Sequence, residues 1–234
     1  PAKKNALNLQ TYREIISELK RADEDKNIRV IIFTGAGQNF TSGNDLKDFM
    51  NIGSSEDNPI LDFLYTLKNV KKPVIAAVNG LAVGVGVTLL AHCDLVVSAD
   101  NAEFLAPFVN IGLVPEYAST LLFPSLMGKL KANEVFMLGE KFSAQKAYEC
   151  NLVNYIVPQT YIMQKAVELA QKISRQPPNA IRATKRLMNE AMKNKVEEVM
   201  QEELKTFFEG LQSEEFQEAM AAFFEKRNPD FSKF

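Results

Sequence analysis

Three β-branched runs constrain this chain more than any other feature. The segments "IRVIIFTGAG" (28–37), "PVIAAVNG" (73–80) and "DLVVSAD" (94–100) are apolar, short, and closed by glycine or aspartate, so each reads as a buried strand. Between them lie "NPILDFLYTLKNVKK" (58–72), amphipathic and stopped by Pro73, and "VGVTLLAHC" (85–93), apolar and long enough for about two helical turns. Strand, helix, strand, helix, strand predicts parallel pairing through right-handed crossovers, an α/β fold. A further helix is expected over 8–24, where Leu9, Tyr12, Ile15, Ile16 and Leu19 share one face and Asn8 is placed to cap it. Beyond residue 120 the pattern turns helical, and from Asn179 to Lys226 almost wholly so. The "QPP" at 176–178 marks the expected boundary between a core (1–176) and a C-terminal helical region (177–234).

The 234 residues suffice for one large domain. A net charge of −2 gives no global positive field for nucleic acid. No apolar run reaches the ~18–20 residues that span a bilayer, so membrane insertion is not expected. Cys93 and Cys150 form no C-x-x-C or zinc pattern, and His92 is the only histidine, which argues against a multi-histidine metal site. His92 and Cys93 are neighbours on a helix and point apart, so they do not form an activated pair.

Two glycine-bearing loops follow strands: "NFTSGNDLKDF" (39–49) and "NGLAVGVGVTLL" (79–90). Small residues allow close backbone approach to a ligand, and glycine turns can aim N–H groups outward, as in an oxyanion hole. The alternative is that Gly84 and Gly86 only permit tight packing of helix on sheet. A dinucleotide fingerprint fails, because Leu89 stands where the third glycine or alanine belongs. Asp45 and Asp48 are expected to cap or solvate a helix start, Asp94 to end a helix, and Lys3, Lys4, Lys71 and Lys72 to be solvated. Glu116, in "NIGLVPEYAS" (110–119), is by itself either an exposed loop acid or a proton carrier.

Taken together, "KNALN", "FTSGNDLKDF", "KPVIAAVNGLAVGVGVTLLAHCDLVVSADNAEF", "GLVPEYAS" and "GEKFSAQKAYECNLVNYIV" resemble, in this order and spacing, the crotonase (enoyl-CoA hydratase/isomerase) superfamily across essentially the whole chain. The resemblance implies a spiral of ββα turns with a C-terminal helical trimerisation region, assembling as a homotrimer or hexamer. It implies acyl-CoA substrates, with coenzyme A entering as part of the substrate and no separate cofactor. It puts the two oxyanion-hole donors on the main-chain N–H groups of Asn44 and Val85. Ser42, Gly43, Leu46, Gly84, Gly86 and Phe108 fall in the substrate-binding segments.

Hydratases of this superfamily use two glutamates; the matching positions here are Thr88 and Phe108, so the resemblance disfavours hydration. "VPEYAS" is similar instead to the segment in which peroxisomal-type Δ3,Δ2-enoyl-CoA isomerases, enzymes of unsaturated fatty acid β-oxidation, carry one catalytic glutamate. On that reading Glu116 takes a proton from C2 of a 3-enoyl thioester and returns it at C4. Tyr117 departs from the glycine common there and bears on pocket size. Other acyl-CoA chemistry, or a non-catalytic acyl-CoA or protein-binding module, are the competing readings. A bacterial cytoplasmic location is the default expectation, with peroxisome or mitochondrion as the alternative; the tail "SKF" only approximates a peroxisomal S-K-L address.

Overall fold

The structure, a computed structural model, describes residues 3–45, 48 and 58–234. Helix α1 (Leu9–Glu24) starts where the sequence predicts, with Asn8 Oδ1 accepting the Thr11 N–H at 2.8 Å. Asp48 accepts a second free amide of that first turn, the Leu9 N–H, at 2.9 Å. Then come β1 (Ile31–Thr34), α2 (Pro59–Asn69), β2 (Val74–Val78), β3 (Ala82–Val83), α3 (Val85–Thr88), β4 (Leu95–Ala99) and β5 (Glu103–Leu105). The chain continues through α4 (Ser119–Met127), α5 (Lys129–Leu138), β6 (Phe142–Ser143), α6 (Ala144–Glu149), β7 (Tyr155–Val157) and α7 (Ile162–Ser174). It ends in α8 (Pro178–Glu190), α9 (Lys193–Leu211) and α10 (Glu214–Glu225).

The three anticipated strands are consecutive members of a four-stranded parallel sheet ordered β1-β2-β4-β7, in register Ile32 to Ile75, Ala76 to Val96 and Ser98 to Ile156. All five residues of β2 are buried, which accounts for its unbroken apolar sequence. A smaller sheet, β3-β5-β6, pairs β3 with β5 in parallel and β5 with β6 antiparallel. Helix α1 packs on α2, α7 covers β1, β2 and β4, and α9 packs against α4 and α10.

The 85–93 segment forms the expected two helical turns, one α (Val85–Thr88) and one 3-10 (Leu89–His92). One expectation changes. Lys72 is not solvated: it is buried, and its ammonium donates to the carbonyls of Ala22 and Asp25, both at 2.6 Å, closing the C-terminal end of α1.

The glycine loops are fastened to each other by main-chain bonds. Phe40 N and Thr41 N both donate to Leu81 O (3.1 and 2.9 Å), and Val83 N donates to Thr41 O (3.0 Å). Asn79 Nδ2 reaches back to the carbonyls of Gly35 and Gly37 at 3.0 and 2.7 Å. The two loops are therefore tied together, which sets Asn44 and Val85 relative to each other.

Candidate active site

A narrow cavity of about 30 Å³ brings together Asn44, Val85 and Glu116, three residues far apart in sequence. Its remaining described walls are Asn58, Ile60, Leu61 and Leu64 around α2 and Leu204, Phe207, Phe208 and Leu211 from α9. Apart from the two asparagines the surroundings are apolar, and Glu116 is the one acid among the described lining residues.

Glu116 is not an exposed loop acid, since only 7% of its surface is accessible. Burial lifts its pKa to about 8, against the opposing effect of a hydrogen bond from Thr88; the nearby charge of Glu203 adds to the rise. Thr88 Oγ1 donates to Glu116 Oε1 at 2.6 Å. The hydroxyl is thus the direct partner of the acid, at a position where the resemblance would put one of the two carboxylates of a hydratase. Thr88→Val removes a bond that favours the charged form, so Glu116 is expected to titrate above about 8. Following that carboxyl by ¹³C NMR checks this; a value unchanged or lower contradicts it.

The main-chain amides are sorted in a telling way. Gly43 N donates to Thr41 Oγ1, Asp45 N to Leu7 O, Gly84 N to Leu105 O, and Val87 N and Thr88 N to Gly84 O. Among the described residues, the N–H groups of Asn44, Val85 and Gly86 have no such acceptor, and of these three residues Asn44 and Val85 line the cavity. Gly84, at φ 57° and ψ −118°, turns the chain so that Val85 begins α3 with its amide free. On the other loop, Tyr12, fully buried on α1, donates from its hydroxyl to Asn44 Oδ1 at 2.5 Å and fixes that side chain.

Downstream of the acid, Tyr117 and Ala118 are both left-handed (φ 68° and 54°). Left-handed backbone costs a non-glycine residue ~1–2 kcal/mol, so the turn needs external ties. His92 Nε2 lies 2.7 Å from Tyr117 O, and the two rings stack with centroids 3.6 Å apart. Burial lowers the His92 pKa to about 4. The ring is therefore neutral, with its Nε2 proton donated to a carbonyl that can only accept. The Tyr117 hydroxyl donates to Leu64 O at 2.8 Å. That ring is packed on His92 rather than among the cavity walls, so tyrosine in place of glycine does not narrow the space beside Glu116.

The other sequence-predicted positions divide. Gly43 (φ 84°) and Gly86 lie in the fastened loops, Gly86 against the methyl of Thr41. Ser42 Oγ donates to Lys3 O at 2.9 Å. Phe108 is buried but absent from the cavity walls among the described residues, and Leu46 lies outside the described residues. Asp45 pairs with Lys3 at 2.7 Å, and Asp94 binds Lys185 Nζ and the Val74 N–H, both at 2.7 Å, consistent with structural tasks. Tyr12, Asn58 and the α9 side chains escaped the sequence reading; only Tyr12 carried a signal, on the predicted buried face of α1. A larger cavity, about 650 Å³, is lined by His92, Cys93 and Asp94, yet burial pushes the Cys93 thiol up to about 12 and Asp94 is paired. It offers no activated acid, base or nucleophile.

The arrangement of strands and helices defines a crotonase fold. The profile of the family described as "Enoyl-CoA hydratase/isomerase" matches residues 1–233, and the chain belongs to that family. It is 35% identical over 230 residues to "Enoyl-CoA delta isomerase 2" of Rattus norvegicus, covering 95% of this chain and 59% of that protein. It thus spans about three fifths of that relative's length. It is also 31% identical over 233 residues to "2,3-dehydroadipyl-CoA hydratase" of Escherichia coli (strain K12), covering 99% and 91%. The crystal structure of an enoyl-CoA hydratase/isomerase from Pseudoalteromonas atlantica T6c superposes with a TM-score of 0.94 at 39% identity, covering 99% of this chain and 92% of the other. Relatives named as isomerases and as hydratases thus stand at comparable distance, and the choice between them falls to the site.

Proposed function

We propose that the chain is a Δ3,Δ2-enoyl-CoA isomerase that moves a 3-enoyl double bond into conjugation with the thioester. One observation carries the reading: the cavity that holds the two unengaged amides has a single buried acid among its described lining residues, Glu116. Hydration needs a water placed and split between two acid–base groups. Here the positions that match the two hydratase carboxylates are a threonine already bonded to Glu116 and a buried phenylalanine. A 1,3-proton shift needs only one base that collects a proton at C2, holds it, and delivers it to C4 on the same face.

The thioester oxygen of the dienolate lies between the amides of Asn44 and Val85, each such donor contributing ~10²–10³ in rate. Apolar walls from α2 and α9 take the acyl chain, which enters by displacing side chains from so narrow a cavity. With a pKa of about 8, Glu116 gains its base form as pH rises through that value. The kcat/KM for isomerisation is accordingly expected to climb toward a plateau above pH 8.

The test offers the enzyme 3-enoyl-CoA and 2-enoyl-CoA separately and identifies products by mass and chromatography. The reading expects the conjugated 2-enoyl thioester from the first and almost no 3-hydroxyacyl-CoA from the second. Hydration as fast as isomerisation refutes it. Thioester hydrolysis as the main reaction would point to other acyl-CoA chemistry.

A further inference from the structure

The geometry points to Glu203, on helix α9, as the positioning residue that holds the Glu116 turn in working shape. This inference deepens the isomerase reading and rests on it for its kinetic consequences, though not for its effect on the Glu116 carboxyl. Helix α4 starts at Ser119 with Ala118 at the N-cap, a residue with no side chain to cap it. The missing acceptor comes from another part of the chain. Glu203, only 5% exposed, takes the Ala118 N–H on Oε2 at 2.5 Å, and on Oε1 the Thr120 N–H at 2.8 Å and the Thr120 hydroxyl at 2.6 Å.

Burial raises the Glu203 pKa above the ordinary carboxylate value, and the three converging donors oppose that rise because they favour the ionised form, which only accepts. The position is also the positive end of α4, where a negative charge is favoured. Two consequences follow for Glu116, two residues before the capped amide. First, its left-handed neighbours are pinned from the C-terminal side, complementing the His92 bond to Tyr117 O. Second, the helix end that would otherwise stabilise a charged Glu116 is already occupied by another anion, and Glu203 accordingly raises the Glu116 pKa. Among the described residues, the other titratable groups facing Glu116 are the phenols of Tyr12 and Tyr117, both buried and held neutral. Leu204, Phe207, Phe208 and Leu211, on a neighbouring stripe of the same helix, line the cavity. One helix thus supplies both a wall of the acyl site and the tie that aims its acid.

Glu203→Gln keeps the shape but presents an amide NH₂ where one N–H now finds an acceptor, and it removes the charge. With ångström-scale misplacement costing up to ~10²-fold, kcat for 3-enoyl-CoA is expected to fall at least ~10-fold. KM should change less, and Glu116, followed by ¹³C NMR in the ligand-free protein, should titrate below its wild-type value. Glu203→Asp, retaining the charge with shorter reach, should recover part of kcat and of the shift. If Glu203→Gln does not fold, Thr120→Val, which removes one of the three bonds, carries the test with the same directions and smaller size. A folded Glu203→Gln protein with kcat within twofold of wild type and an unmoved Glu116 titration overturns the inference, whatever its melting temperature. A wild-type protein that does not isomerise, together with a Glu116 titration that moves in Glu203→Gln, would sink the isomerase reading and leave the positioning role standing.

Discussion

Glu116→Gln is expected to lower kcat for 3-enoyl-CoA isomerisation by about 10²–10⁴, the usual worth of a positioned acid–base group, while leaving KM within a few-fold. Glutamine is close to isosteric, its carbonyl can still accept the Thr88 hydroxyl, and the Asn44 and Val85 amides are untouched, so binding survives while proton transfer does not. The same substitution has a stability signature of opposite sign. The ordinary pKa of 4.5 rises to about 8 in the folded protein, so between those values the native state holds a proton that the unfolded chain releases. That contribution is complete below about 4.5 and is lost as pH rises through about 8. Wild type should therefore lose stability between pH 6 and pH 9, by a few kcal/mol at most, and the glutamine variant should not lose that part. Thermal melts of both proteins at the two pH values read it directly. Residual isomerisation within tenfold of wild type, or parallel melting curves, would count against Glu116 as a buried, late-ionising base.

How far these features were legible depends on the range of the interactions that make them. Asn8 capping α1 and the β-branched runs of β1, β2 and β4 are local, and the sequence pattern placed them. The strands β3, β6 and β7 have two or three residues each, too few to display any period, and they exist because neighbours pair with them. Glu116 is an intermediate case. Its proline-flanked segment carried two readings, and only the resemblance favoured the proton carrier; its burial comes from Thr88 and the helices packed around it. Glu203 gave no signal at all. It is one glutamate among several in "KVEEVMQEELKTFFEGL", and nothing in a Lys/Glu-rich helix says which acid turns inward. Lys72 was misjudged for the same reason, since its acceptors are carbonyls at the end of a helix about 50 residues earlier.

Two alanine substitutions in the second glycine loop should separate the stability of this site from its catalysis. At Gly80 a Cβ would sit 1.9 Å from Gln38 O and 3.0 Å from Gln38 C, both main-chain atoms. The first loop cannot retreat without breaking the bonds of Phe40 N and Thr41 N to Leu81 O and those of Asn79 to Gly35 and Gly37. Gly80→Ala is therefore expected to cost upwards of ~3 kcal/mol, at or beyond the usual overpacking range. That is a melting temperature lower by roughly 6–12 °C or more, or failure to fold. At Gly84 a Cβ meets nothing within 4 Å, so the penalty is the left-handed φ alone, ~1–3 kcal/mol. Relieving it rotates the peptide that carries the Val85 N–H. Gly84→Ala should consequently fold, melt a few degrees lower, and lose kcat by ~10²–10³, the worth of one oxyanion donor. Circular dichroism melts and isomerase kinetics on the same preparations make the comparison. A Gly80→Ala protein as stable as wild type would contradict the close approach of the loops. A folded Gly84→Ala enzyme with near-normal kcat would remove the Val85 amide from the reaction, and the thioester oxygen would then need a different second donor.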